Sequence, residues 1–447
     1  MKQSFDVLVI GAGPAGIAAA LRAAECQRSV GLVDDNPSPG GQIWRGGVAH
    51  PNGGAPWLEL LSRSSVTPLY ETRVFDQPAP GLLFAEAGET LVELRYKKLV
   101  LATGAREMFL PFPGWTLPNV MGAGGLQALV KSGLPIAGKR VVVAGSGPLL
   151  LAVAATLRGY GAEIVGVCEQ ASWRNLATFA TRLGWRKLGQ AVRLKRELAG
   201  VPFYTDCWPL SAAGHGKVER VLVSHRGSPR EWACDYLACG FHLTPNTELA
   251  ALLGCQLENG FVKTDRCQQT SVADVFCAGE PTGIGGVELA LLQGQLAGLC
   301  AGGDHSGVVE LVAQQQAMRP FAARLAKAFA LRPELTALAT PETLVCRCED
   351  VTLARLRECN SWREGKLYTR CGMGPCQGRV CGPATQFILG WQPESVRPPV
   401  FPARVESLLA AASHAEMNAE TNLGTNAYRN SEMNAAMNAN TNPGERS

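Results

Sequence analysis

The stretch VIGAGPAG, residues 9–16, constrains this chain more than any other, because glycines at that spacing belong between a buried strand and a helix. Upstream, FDVLVI reads as the strand; downstream, AGIAAALRAAE reads as an Ala-rich helix and SVGLVDD as the next strand. Gly11 permits the tight turn, Gly13 lets backbone approach a pyrophosphate, and Gly16 lets helix and strand pack closely. The helix start, with Pro14 and Ala15, offers free N–H groups and a positive dipole to phosphates. Asp34 ends the second strand, where a carboxylate accepts bonds from ribose hydroxyls. These residues predict a dinucleotide-binding α/β fold.

A second unit of this kind spans 140–170, RVVVAGSGPLLLAVAATLRGYGAEIVGVCEQ. It offers Gly145, Gly147 and, at the strand end, Glu169, but Leu150 stands in the third glycine position. Two readings stay open: a weak NAD site, or a retained fold without nucleotide. No arginine cluster follows the strand to meet a 2′-phosphate, which disfavours NADP. Residues 305–340 show helical apolar spacing, and from about residue 412 an Asn-rich tail is expected to be disordered.

Net charge is only +4, so no polyanion field is implied and no nucleic-acid partner is expected. The longest apolar run, 141–157, is broken by Gly-Ser-Gly and reads as strand, turn and helix instead of a membrane span. The strand that begins at the N-terminus leaves no room for a signal peptide, so the expected compartment is the cytoplasm. There, fifteen cysteines do not imply a disulfide framework.

Five of those cysteines gather late in the chain: Cys346 and Cys348 in LVCRCED, then Cys371, Cys376 and Cys381 in RCGMGPCQGRVCG. Four thiolates from two nearby segments can hold zinc or a [2Fe–2S] cluster, and Cys-x4-Cys also serves as a redox disulfide. The C-x-C spacing favours iron–sulfur. Gly374 and Gly378 let the chain wrap a larger object and aim N–H groups at sulfur, while Arg347, Arg370 and Arg379 offer compensating charge. No acid–base apparatus emerges. The six histidines are scattered, His242 reads as a packed or surface residue, and no catalytic residue is assigned.

PGGQIWR (39–45), LVLATGARE (99–107) and DVFCAGEPTGIGG (274–286) resemble successive flavin contacts of flavoproteins with two dinucleotide domains. The resemblance implies FAD, held by Gly11, Gly13, Pro14, Ala15, Gly16, Asp34, Gly41, Gln42, Arg45, Val74, Thr103, Gly104, Gly279 and Glu280. Glu280 stands where such patterns commonly carry Asp, and Thr103–Gly104 marks the crossing between domains. The cysteine segment resembles the ferredoxin-like domain of bacterioferritin-associated ferredoxin. That resemblance selects Cys346, Cys348, Cys376 and Cys381 as cluster ligands and leaves Cys371 an extra thiol, with a set using Cys371 in place of Cys381 still open.

From residue 4 to about 400 the chain resembles the FAD-containing subunits of opine oxidase, hydrogen cyanide synthase and D-hydroxyproline dehydrogenase type complexes. The fold implied is an α/β flavoprotein with two Rossmann-like dinucleotide domains and a small helical [2Fe–2S] domain. Its expected parts are 1–112 and 246–335 for FAD, 113–245 for the NAD(P)-like domain, 336–405 for the cluster and 412–447 for the tail. The function implied is an electron-transfer subunit of a dehydrogenase or oxidase acting on CH–NH or CH–NH2 donors. The alternative is a self-contained NAD(P)H-dependent flavin reductase. The implied partners are a substrate-oxidising FAD subunit, joined by a small ferredoxin-like subunit. A peripheral link to the respiratory chain is compatible with both.

Overall fold

The computed structural model describes residues 1–45, 53–392 and 396–413. The first sheet contains β1 (Lys2–Ile10), β2 (Val30–Val33), β3 (Thr67–Leu69), β4 (Thr72–Ala79), β5 (Leu82–Ala87) and β6 (Thr90–Leu101). Their order is β3-β2-β1-β6-β5-β4, and the strand Val275–Cys277 returns late in the chain to pair with β6 in parallel. The apolar run at the end of β1 is buried throughout, as expected of a parallel strand covered on both faces. Helix α1 (Pro14–Glu25) packs on one face, together with the helix Val287–Gly302. Beneath the other face lies a cluster that includes Leu8, Ile10, Leu83, Leu94, Leu99, Leu249 and Leu253.

The two helices meet through their smallest residues. A Cβ on Gly294 would land on the Ala15 carbonyl, one on Gly298 would land on the Ala19 carbonyl, and one on Gly302 would meet Cys26 and Ala23. Alanines four residues apart on α1 therefore face glycines four apart on the later helix, and the backbones come within direct contact. This draws the segment around Gly279 against the start of α1.

After α2 (Ala55–Ser62) and the first sheet, β7 (Ala105–Met108) leads away to a second layer. Its parallel sheet contains β8 (Val120–Gly122), β9 (Arg140–Gly145), β10 (Glu163–Glu169) and β11 (Phe203–Thr205), with the strand Tyr236–Gly240 between β9 and β8. Helices α3 (Ala123–Lys131), α4 (Leu149–Gly159) and α5 (Trp173–Ala180) accompany it. A three-stranded antiparallel sheet, residues 207–233, packs beside it. The chain returns along the strand His242–Pro245, which pairs antiparallel with β7.

The helix Val308–Ala328 fulfils the expected helical spacing and tolerates Pro320 inside it. Beyond it, a two-stranded ribbon, Leu344–Cys346 with Val351–Thr352, is followed by the helices Leu353–Arg357, Trp362–Thr369 and Cys381–Leu389. Their common core includes Val345, Val351, Leu353, Leu356, Trp362 and three cysteines. A helix over residues 405–413 takes in the first two residues of the expected tail, and the rest of that tail lies outside the described residues. Among the described residues no helix is long and apolar enough to cross a membrane.

Candidate functional site

The turn after β1 has the geometry its glycines call for. Gly11 adopts φ +104°, and a Cβ there would land on the Ala102 carbonyl; a Cβ on Gly16 would land on the Gly11 carbonyl. Neither position can carry a side chain without moving backbone. Gly13 differs: a Cβ there meets nothing within 4 Å, so this glycine borders open space at the uncapped N-terminus of α1. Asp34 accepts from the Ala12 N–H at 2.6 Å through Oδ2, and from the Asn36 N–H and Nδ2 at 2.8 and 2.7 Å through Oδ1. The acid thus ties the end of β2 to the glycine turn.

Of the other expected contacts, Gly41 and Gly279 lie against this turn. Gly41, at φ +57°, sits so close that its Cβ would lie 3.0 Å from the Gly13 Cα. Gln42 follows it on the same turn. Arg45 donates from Nη2 to Asn36 Oδ1 at 2.7 Å. Gly279, at φ +83°, abuts Ala15, where an added Cβ would come within 2.9 Å of the Ala15 Cβ. Glu280 follows it, partly buried; burial pushes its carboxyl up, and the Ala105 N–H pulls it part of the way back. Val74 lies apart from the turn, in the apolar cluster under the sheet.

Thr103 and Gly104 sit at the crossing between the layers, and Asn246 sutures it. Thr103 Oγ1 donates to the Asn246 carbonyl at 2.6 Å, Asn246 Nδ2 donates to the Thr103 carbonyl at 2.8 Å, and the Asn246 N–H donates to the Gly104 carbonyl at 3.0 Å. No motif in the sequence pointed to Asn246. Nor did any single out Gln293, buried in its helix, whose Oε1 accepts from the Gly279 N–H at 3.0 Å.

Among the described residues, two polar atoms beside this site are buried without a partner: Trp44 Nε1 and Arg45 Nε. Unpaired buried donors cost about 1–3 kcal/mol each and call for an acceptor from elsewhere. An open glycine, a free helix N-terminus and orphaned donors in the segment 39–45 are what an anionic dinucleotide would complete. The residues fit FAD.

In the second layer, Leu150 is buried at the expected third position. Glu169 is 1% exposed, and both its oxygens are taken, by the Gly147 N–H at 2.7 Å and the Ala171 N–H at 2.8 Å. Burial pushes its carboxyl up to about 7. His242 is partly buried, with Nδ1 3.0 Å from the Leu243 carbonyl.

The cysteine segment forms one sulfur cluster. The Sγ atoms of Cys346, Cys371 and Cys381 all lie within 4.8 Å of one another, and all three residues are buried. Cys376 reaches the group through Cys381 and touches Cys348 on its other side. The structure therefore groups two of the four expected ligands, Cys346 and Cys381, with Cys371, which was expected outside, and leaves Cys376 and Cys348 beside that triad. The N–H groups of Gly372 and Glu349 approach the Cys346 sulfur, and those of Gly378 and Val380 approach Cys376. Hydrogen bonds from Cys371 and Cys381 pull the Cys346 thiol down, and one from Cys381 pulls Cys376 down to about 5. The same sulfur–sulfur bonds push Cys371 up to about 12 and Cys381 up as well, so it is the crowding of three buried sulfurs in so small a volume that suits a metal.

The arginines expected to offset cluster charge are partly committed elsewhere. Arg370 pairs with Glu349 at 2.7 Å, and Arg347 lies over the Trp115 ring. Arg379 packs 3.9 Å from the Phe401 ring centre and donates to the Val400 carbonyl at 2.6 Å. Its own carbonyl accepts from Arg106 Nε at 3.1 Å, which docks the cysteine loop on β7.

The family model of the pyridine nucleotide-disulphide oxidoreductases matches residues 5–294. An opine oxidase subunit of Rhizobium meliloti (strain 1021) is 32% identical over 418 residues, covering 85% of this chain and 90% of that one. Hydrogen cyanide synthase subunit HcnB of Pseudomonas aeruginosa is 30% identical over 429 residues, covering 84% and 90%. Among solved structures, L-proline dehydrogenase from P. horikoshii superposes with a TM-score of 0.67 over 91% of this chain and 80% of that one, at 20% identity. That last likeness is one of fold.

Proposed function

The chain belongs to the pyridine nucleotide-disulphide oxidoreductase family, in the company of the opine oxidase subunit and HcnB, and from that membership we propose an electron-transfer subunit of a heteromeric amine dehydrogenase or oxidase. It is an FAD-dependent oxidoreductase related to those subunits. The proposal adds a [2Fe–2S] cluster on Cys346, Cys348, Cys376 and Cys381, and a donor that is an amino acid, an imino acid such as D-hydroxyproline, or an opine. FAD accepts two electrons together and releases them singly, whereas a [2Fe–2S] centre carries one at a time.

This chain's own residues would hold and orient both groups. Gly13 and the α1 N-terminus receive the pyrophosphate, Asp34 the adenosine ribose, and Glu280 the ribityl side. Trp44 Nε1 and Arg45 Nε gain the acceptor they lack. Four thiolates and the N–H groups of Gly372, Glu349, Gly378 and Val380 hold the cluster and its negative charge.

One observation carries the reading: Arg106. It bonds the Arg379 carbonyl, two residues from Cys381, and its Nη1 donates to Asn246 Oδ1 at 2.7 Å, on the residue that sutures Thr103 and Gly104. The sulfur loop and the flavin crossing are thus joined through one side chain, which supports a two-to-one electron relay. Among the described residues no histidine stands in a recognisable acid–base constellation, so substrate oxidation is assigned to the partner FAD subunit, while a small ferredoxin-like subunit completes the path.

The test is division of labour. The isolated, monodisperse chain should not oxidise amino acids, hydroxyprolines or opines, and addition of its substrate-oxidising subunit should restore dye-linked dehydrogenation. Robust amine turnover by the isolated chain would sink the relay reading.

A further inference from the structure

Membership of this family implies a pyridine nucleotide, and the second dinucleotide fold is where one would bind. Its parts invite a side-by-side comparison with the FAD fold. In the first fold the residue after the strand-end acid, Asp35, is exposed, which leaves the exit from β2 accessible. In the second, the residue after Glu169 is Gln170, 0% exposed. What covers it is the chain's own segment 329–332.

The contacts are specific. Gln170 Nε2 donates to Ser146 Oγ at 2.8 Å and to the Ala330 carbonyl at 3.1 Å, and its Oε1 accepts from the Arg332 N–H at 3.3 Å. Ser146 Oγ donates in turn to the Phe329 carbonyl at 3.0 Å. Ser146 is the middle residue of the Gly145-Ser146-Gly147 turn, so segment 329–332 is bonded both to that turn and to the end of β10. The Phe329 ring packs edge-on against Phe179 of α5, 5.6 Å between centres. A dinucleotide's adenosine is gripped between these same two elements.

Beyond the turn, at the start of α3, stands Glu107. Glu107 Oε1 accepts from the Gly124 N–H at 2.6 Å and Oε2 from the Gly125 N–H at 3.2 Å. These are among the first N–H groups of α3. A Cβ on Gly240 would lie 3.1 Å from Glu107 Oε1 and 3.9 Å from Leu150 Cδ2, and the Gly240 carbonyl accepts from the Ser146 N–H at 2.8 Å. A carboxylate from β7 therefore stands beside Gly240, which pairs with the glycine turn, and caps α3. Glu169 is bonded to backbone through both oxygens, as Asp34 is, but is more deeply buried, at 1% exposed against 9%.

We propose that the second dinucleotide fold takes no NAD(H) or NADP(H), because segment 329–332, held by Gln170 and Ser146, covers the exit from β10 where the adenosine would lie, even though Gly147 itself borders open space. The fold instead serves as the seat on which the chain leaving the helix Val308–Ala328 is fixed before it enters the cysteine segment. This does not rest on the relay reading, since a closed second fold is compatible with any electron donor other than a pyridine nucleotide.

Binding, not turnover, is the test. The full chain is titrated with NADH and with NADPH to about 1 mM, followed by calorimetry and nicotinamide fluorescence. Hydrogen exchange is then compared with and without nucleotide over peptides covering 143–150 and 326–333. The expected result is no heat, no fluorescence enhancement and unchanged exchange. Saturable binding of either nucleotide that protects the amides of 145–150 would overturn the proposal.

Discussion

Arg106 donates from Nε to the Arg379 carbonyl at 3.1 Å, fastening the strand that leaves the flavin layer to the loop that bears Cys376 and Cys381. The same guanidinium pairs with Glu248 at 2.8 Å, so its position is fixed from three sides. Replacing Arg106 by Ala should leave flavin and iron content intact but slow electron passage from flavin to cluster, on the order of tenfold or more, because small displacements in a transfer geometry cost large factors. Stopped-flow flavin reoxidation read together with the cluster's electron-spin signal measures this. Arg106→Lys should recover part of the rate, and an unchanged rate in Arg106→Ala would show that the contact is merely structural.

The glycine turn separates binding from folding. Gly13 has φ −77° and open space around its missing Cβ, so Gly13→Val should fold normally yet lose FAD. Gly16→Val would drive a side chain into the Gly11 carbonyl and should not yield soluble protein. Flavin absorbance per chain and circular dichroism of the two variants check the contrast. Retention of flavin in soluble Gly13→Val would remove that glycine from the phosphate site.

Sulfur assignment is tested by metal content. Serine at Cys346, Cys348, Cys376 or Cys381 should abolish about two irons and two sulfides per chain, while Cys371→Ser should keep them. Because Cys371 lies with Cys346 and Cys381 inside the buried triad, the opposite pattern is a concrete rival. Iron lost from Cys371→Ser and kept in Cys381→Ser would make Cys371 the ligand.

Helix contact through small residues predicts intolerance to bulk. Gly298→Val places methyl groups on the Ala19 carbonyl and should destabilise the protein by about 1–3 kcal/mol or more. Denaturant titration gives the value, and flavin should loosen in parallel because Gly279 is positioned by the same contact. A stability loss under about 0.5 kcal/mol would mean that the helices can separate at little cost.

Burial holds the Glu169 carboxyl up, to about 7, above the range of an unfolded glutamate. A folded value above the unfolded one means that the native state binds the proton more tightly. Stability from this group is therefore greatest below pH 4 and declines as pH rises from about 4.5 to about 7. Glu169→Gln should flatten that part of the stability–pH curve. An unchanged slope in urea titrations at pH 5, 6 and 7 would exclude Glu169 as its source.

Legibility in the sequence followed the range of the contacts. The β1–α1–β2 unit was readable because its strand, glycines and acid lie within about thirty residues and each has a local conformational meaning. The second unit was readable as a fold for the same reason, and Leu150 flagged that its turn differs. Asn246, Gln293 and Gln170 were not readable: each works by bonding backbone far along the chain, and an amide side chain leaves no periodic trace. Gly294, Gly298 and Gly302 did leave one, a spacing of four inside an Ala- and Leu-rich helix, which marks a close helix partner without saying which. The cysteine spacings suggested that these sulfurs gather, but only the folded loop puts Cys371 beside Cys346 and Cys381.

The seating of Ala15 against Gly294 also orders events during synthesis. The first nucleotide fold lacks one covering helix and its β6 neighbour, Val275–Cys277, until those late segments leave the ribosome. At roughly 5–20 residues per second, that interval is on the order of half a minute. The second layer, whose strands all lie between residues 120 and 240, can close in the meantime. A nascent chain would thus complete its middle before its beginning, and its flavin pocket could mature only once residue 302 has emerged.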